Sequence, residues 1–63
     1  MSGPELKVLR ESAHMTLEQV AQRGGWPARG SVSRIENQVA VTDRTALRYV
    51  LAVAQELVGR ASA

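Results

Sequence analysis

The stretch Met15-Thr16-Leu17-Glu18-Gln19-Val20-Ala21-Gln22-Arg23-Gly24-Gly25-Trp26-Pro27-Ala28-Arg29-Gly30-Ser31-Val32-Ser33-Arg34-Ile35-Glu36-Asn37 contains two short helices and the turn between them. Thr16-Leu17-Glu18-Gln19 is a capping-box sequence: a Thr at the N-cap and a Gln three residues on can satisfy each other's backbone donors. Leu17, Val20 and Ala21 form one apolar face, and Gly24-Gly25 stops the helix, which is predicted over about 17–23. It is barely two turns long, so it needs tertiary packing to persist. Pro27 suits the first position of a following helix, predicted over about 27–37. Ala28, Val32 and Ile35 recur at i, i+4 and i+7 and mark its buried side. Arg29, Ser33 and Asn37 fall on the opposite flank with Gly30 and Arg34 beside them, and Glu36 lies close to the buried edge.

Outward from this core stretch the pattern stays helical. Ser2-Gly3-Pro4-Glu5 is a second capping box, opening a helix over about 4–13 through Leu6, Leu9 and Ala13. Val8 falls off that face, as either an exposed residue or a partner contact. His14 follows the helix end, where a left-handed residue would close it. Thr42 or Asp43 can cap a last helix over about 43–59. Its apolar residues, from Ala46 and Leu47 to Leu57 and Val58, cover an arc of about 200°, wider than the stripe of about 100° that a core needs. The surplus points to a dimer contact, expected at Tyr49, Val53 and Leu57.

The chain has 63 residues, enough for one small domain, with no Cys and a single His. Disulfides, thiolate metal sites and cysteine nucleophiles are excluded, and a His-rich metal site cannot be built. No metal or cofactor is expected. The longest unbroken apolar run, Val50–Ala54, is far below the roughly 20 residues of a membrane span. With no signal-peptide pattern, a cytoplasmic location is expected, at the nucleoid if the chain binds DNA. No paired-carboxylate site and no phosphate-binding Gly loop is visible, so an enzyme is not expected. The formal charge is +2. It is uneven: residues 1–22 sum to −1, residues 23–48 to +3, and residues 49–63 to zero. The central excess is all Arg, whose fork suits phosphate and guanine.

Two short capped helices joined by a Gly-containing turn, the second with an Arg-bearing outer face, are what a helix-turn-helix requires. Residues 6–57 resemble the lambda-repressor-like helix-turn-helix family of the Cro and XRE type. The resemblance lies in Leu6, Leu9-Arg10, Met15 to Ala21, Gly25 and Val32-Ser33-Arg34-Ile35-Glu36-Asn37. It implies an all-α, compact fold of four to five helices, with residues 1–63 forming a single domain whose third helix is the recognition helix. Three features depart from the family pattern. The Ala21–Val32 stretch is one residue longer, Gly24 replaces an apolar residue whose space Trp26 can fill, and Gln38 stands where Gly is usual.

The resemblance implies a sequence-specific double-stranded DNA-binding regulator, a small phage- or plasmid-type repressor acting as a homodimer on a palindromic operator, with no small-molecule effector. Arg29 is expected at base edges and Arg34 at a phosphate or base. Gly30, Ser31, Ser33 and Asn37 complete the face. Thr16 and Gln19 offer backbone N–H groups to a phosphate. Arg44 and Arg48 either hold the flanking backbone or are plain surface charges. Arg10 and Glu36 are implied to form a structural ion pair. Trp26 is either a core plug or a DNA-facing ring, and Val39 and Val41 either meet a partner or tuck under the last helix. The competing readings are an antitoxin-like autoregulator and a protein-interaction module without DNA affinity.

Overall fold

The computed structural model describes residues 1–62, and among them every regular element is helical: α1 (Gly3–Ser12), α2 (Leu17–Gly24), α3 (Arg29–Glu36) and α4 (Asp43–Ala61). Among the described residues, no helix is long and apolar enough to cross a membrane. Both capping boxes close as the sequence requires. The Glu5 N–H donates to Ser2 Oγ at 3.2 Å while the Ser2 N–H donates to Glu5 Oε1 at 2.8 Å. The Gln19 N–H donates to Thr16 Oγ1 at 3.1 Å, and the Thr16 N–H to Gln19 Oε1 at 2.9 Å. Thr42 caps α4. His14 adopts φ 53° just past the end of α1, and Gly25 adopts φ 75° at the end of α2.

α1 and the end of α2 are shifted by one residue from the sequence reading, and both ends of α3 and the end of α4 differ as well. α3 begins at Arg29, not Pro27, because Ala28 is extended (φ −156°, ψ 159°) and serves as its N-cap. Ala28 is therefore exposed and not part of the buried face. α3 stops at Glu36, where Asn37 keeps right-handed geometry and its N–H is shared between the Ser33 carbonyl at 3.2 Å and the Arg34 carbonyl at 3.3 Å. α4 runs two residues beyond the expected end.

α2 packs against both α3 and α4, and α1 closes the other side by touching the same two helices. The core between them contains Leu6, Met15, Val20, Val32, Ile35, Val41, Tyr49 and Val53. Two glycines permit close approaches. A Cβ on Gly3 would sit 2.4 Å from the Glu36 carbonyl oxygen, so the start of α1 lies directly on the backbone at the end of α3. The Gly3 N–H then donates to the Gln38 carbonyl at 2.8 Å, and the Val41 N–H to the Met1 carbonyl at 2.9 Å. A Cβ on Gly24 would sit 2.1 Å from the Trp26 ring, which folds back over it. Trp26 thus fills the space beside Gly24 and packs, half-buried, against the core.

Among the described residues, one carboxylate is buried. Glu36 keeps only 6% of its side chain exposed, and Arg10 only 12%. Arg10 grips it bidentately, Nε to Oε2 at 2.8 Å and Nη2 to Oε1 at 3.2 Å, and donates a third bond to the Met15 carbonyl at 2.9 Å. The Tyr49 hydroxyl donates to Glu36 Oε2 at 2.5 Å. A charge removed from water is tolerated only when paired and hydrogen-bonded in this way. The Glu36 bond raises the Arg10 pKa further. Burial, then the bond to Glu36, pushes the Tyr49 phenol well above its usual range.

Candidate nucleic-acid interface

The chain carries seven arginines and one lysine. Four arginines are spent on the fold. Arg10 holds Glu36. Arg23 pairs with Glu56 across α2 and α4 at 3.2 Å. Arg48 donates from Nε to the Gly24 carbonyl at 2.6 Å and lies 4.4 Å over the Trp26 ring, a cation–π contact. Arg60 pairs with Glu56 at 2.9 Å and reaches back to the Ala13 and His14 carbonyls, satisfying the end of α1. Arg29, Arg34, Arg44 and Lys7 form no ion pair among the described residues.

Two of those four free cations are on α3, and the helix's only acid, Glu36, is turned inward and neutralised. The outward side of α3 therefore presents guanidinium groups and no carboxylate. Arg29, Gly30, Arg34 and Asn37 are exposed, and Ser31 and Ser33 are half-buried. At 100° per residue, Arg29, Ser33, Asn37, Gly30 and Arg34 share an arc of about 140°. A Cβ on Gly30 would meet nothing within 4 Å. Glycine inside a helix is unfavourable by roughly 0.5–1 kcal/mol relative to Ala, and no neighbouring contact in this fold requires it here. The bare backbone leaves room for close approach of a partner.

α3 differs from the other helices at its start. Ser2, Thr16 and Thr42 cap α1, α2 and α4 with their side chains, whereas Ala28 gives α3 no side-chain cap. The positive end of α3 is left for water or an anion. Beside it, Arg29 lines two grooves. One, of about 430 Å³, runs along Glu18, Ala21, Gln22, Trp26, Pro27 and Ala28. The other, of about 460 Å³, includes Arg10, Thr16, Leu17 and Glu18. The start of α2 and the start of α3 thus flank one depression.

The remaining expected residues are placed less favourably. The N–H groups of Thr16 and Gln19 are already committed to their capping box, so only the Gln19 side-chain amide and the N–H groups of Leu17 and Glu18 are left at that end. The Glu18 carboxylate stands in the same turn and opposes an anion there. Arg48 is engaged by Gly24 and Trp26. Arg44 lines a separate hollow with Arg23, Gly24, Leu47, Arg48, Leu51, Ala52 and Gln55.

The expected dimer residues need correction. Tyr49 and Val53 are 0% and 2% exposed and belong to the core of the single chain, because α1 and α2 dock on that side of α4. Leu57, by contrast, is 46% exposed and does lie on the outside. Beside it Leu47, Leu51 and Val58 are exposed, residues which the arc contained but the expected contact omitted. Their signal was their own spacing. Val41 tucks under the fold, whereas Val39 and Val8 are exposed. The uncapped α3 start was also missed, and Ala28 before Arg29 was its sign.

Comparison of the chain with protein-family models, with curated proteins and with solved structures finds no match in any of the three.

Proposed function

We propose that this chain is a sequence-specific double-stranded DNA-binding regulator of transcription. α2 and α3 act as the helix-turn-helix, and α3 enters the major groove. The observation that carries the reading is the disposition of charge on α3: Arg29 and Arg34 outward and unpaired, Glu36 inward and bound to Arg10. A duplex is a polyanion, so a helix side with guanidinium groups and no carboxylate is attracted to its phosphates without opposing repulsion. The uncapped N-terminus of α3 adds a site for a phosphate. Arg29 at that end reads base edges, and Arg34 one and a half turns later holds a phosphate or a second base. Gly30 lets the helix backbone approach closely.

The test is selection of bound sites from a random duplex library, followed by titration of the enriched sequence. A recovered motif whose affinity falls at least tenfold in Arg29→Ala supports the reading. Failure to enrich any sequence, with binding to duplex no tighter than to a neutral polymer, would refute it.

A further inference from the structure

One side chain of α4 reaches across the turn between α2 and α3. Arg48 donates from Nε to the Gly24 carbonyl at 2.6 Å. Its Nη2 lies 3.4 Å from where a Cβ on Gly25 would stand, and its guanidinium carbon lies 4.4 Å over the Trp26 ring. Three consecutive residues are thus met by one group, which a planar fork of donors permits and a point charge does not. The next residue of α4, Tyr49, meets the same ring at 6.3 Å between centroids, with a tilt of 56°. The Trp26 N–H donates to the Ala21 carbonyl at 2.9 Å, so this residue is tied to α2 and α4 together.

Little else fixes the start of α3. From Gly25 to Gly30 every residue except Trp26 is exposed. Ala28 supplies no side-chain cap, and α3 scarcely touches α4. Arg29 follows Trp26 by three positions through Pro27, whose ring fixes one backbone dihedral. A displacement of Trp26 is carried along that short, stiff link to Arg29. The far end of α3 is fixed from the adjacent position of α4, where Tyr49 bonds Glu36, the last residue of the helix. Consecutive residues of α4 therefore hold the two ends of α3.

We propose that Arg48 is a positioning residue for DNA recognition: through Trp26 it sets where Arg29 stands in the groove, without itself touching a phosphate. The inference rests on the reading of α3 as the recognition helix. A side chain that reads a base must be held within about 0.5 Å of its productive place. A good bidentate base contact discriminates about five- to 150-fold, and a shifted Arg29 loses that selectivity while the general attraction to phosphate persists.

Arg48→Met keeps the stem and removes the donors and the charge. Arg23→Ala serves as the control, because it breaks another link between α2 and α4, the one to Glu56. Amide NMR spectra of the free chain come first. Arg48→Met is expected to move the signals of Trp26, Ala28, Arg29 and Gly30 and to speed hydrogen exchange at the Trp26 N–H. Arg23→Ala is expected to leave Ala28–Gly30 in place. Titration of the enriched duplex and its single-base variants across salt follows. Arg48→Met is expected to lose at least about threefold of the discrimination at the base pair that Arg29→Ala relaxes, with the parent's salt slope. Unmoved Ala28–Gly30 signals overturn the clamp whether or not the chain binds DNA. A slope reduced by about one with selectivity intact makes Arg48 a phosphate contact and overturns the proposal. So does an equal loss of selectivity in Arg23→Ala. A moved turn in a chain that prefers no duplex fails at the reading of α3, and the recognition role of Arg48 falls with it.

Discussion

Tyr49 and Glu36, thirteen residues apart and on helices that scarcely touch, share a hydrogen bond of 2.5 Å at the centre of the molecule. Arg10 completes the cluster from α1, so three helices meet at one carboxylate. Glu36→Ala leaves the Arg10 guanidinium largely buried without its counter-charge. Breaking one partner of such a pair costs about 3–5 kcal/mol, a large share of the stability of a domain this small. Urea melts should show Glu36→Ala mostly unfolded at room temperature. Tyr49→Phe keeps the ion pair and should lose less, about 1.5–3 kcal/mol. A Glu36→Ala protein that melts like the parent would mean the cluster is not holding the helices together.

The same tyrosine sets an alkaline limit. Burial holds its phenol neutral in the folded chain, so its folded pKa lies above the value near 10 of an unfolded tyrosine. The folded state thus keeps a proton that the unfolded chain gives up. Stability is full below about pH 10 and declines as pH rises from there towards the folded pKa. Tyr49 is the only tyrosine, so Tyr49→Phe should flatten this decline. Parallel melts of the two proteins across pH 9 to about 11.5 check it, and equal slopes would contradict the cause.

The acid side depends on Glu56. Bonds from Arg60 and Arg23 lower its pKa, and those from Ser2 lower that of Glu5. Depressed carboxylates contribute stability above their unfolded pKa and lose it as pH falls through the folded one. Melting temperature should therefore fall below about pH 4, and less steeply in Glu56→Gln, whose neutral side chain no longer titrates.

Trp26, Gly24 and Arg48 form a stack in which each member positions the next: ring over glycine, guanidinium over ring. Gly24→Ala drives a methyl into the ring, an overpacking worth about 1–3 kcal/mol. The displaced Trp26 should emit at longer wavelength and the melting midpoint should drop. Arg48→Met keeps the stem and loses the charge, so a smaller effect on stability is expected, about 0.5–1 kcal/mol.

The capping boxes, the left-handed His14 and the Gly25 stop were legible in the sequence because each depends on residues within four positions of one another. The Trp26–Gly24 packing was legible for the same reason. The rotation of α4 about its axis was not. An apolar arc spanning more than half the wheel fits many orientations, and the docking of α1 and α2 selects one, burying Tyr49 and Val53. The roles of Arg48 and Arg60 were hidden because their guanidinium groups reach carbonyls 24 and 46–47 residues away. On α3 the outward position of Arg29 and Arg34 followed from periodicity. Its starting point did not, because Pro27 signals a first helical turn that the extended Ala28 postpones.

Salt dependence separates the free arginines from the committed ones. Each phosphate neutralised contributes a slope of about −0.9 to the fall of log affinity with log salt. If Arg34 meets a phosphate, Arg34→Ala should reduce the slope by about one and weaken all sequences alike. If Arg29 reads a base, Arg29→Ala should cost about 1–3 kcal/mol on the preferred site and relax discrimination at one position. Arg23→Ala removes a cation already paired with Glu56, so its slope should match the parent's. Fluorescence anisotropy between about 50 and 200 mM salt measures all three. Equal slopes for Arg34→Ala and the parent, with unchanged selectivity in Arg29→Ala, would remove α3 from the interface.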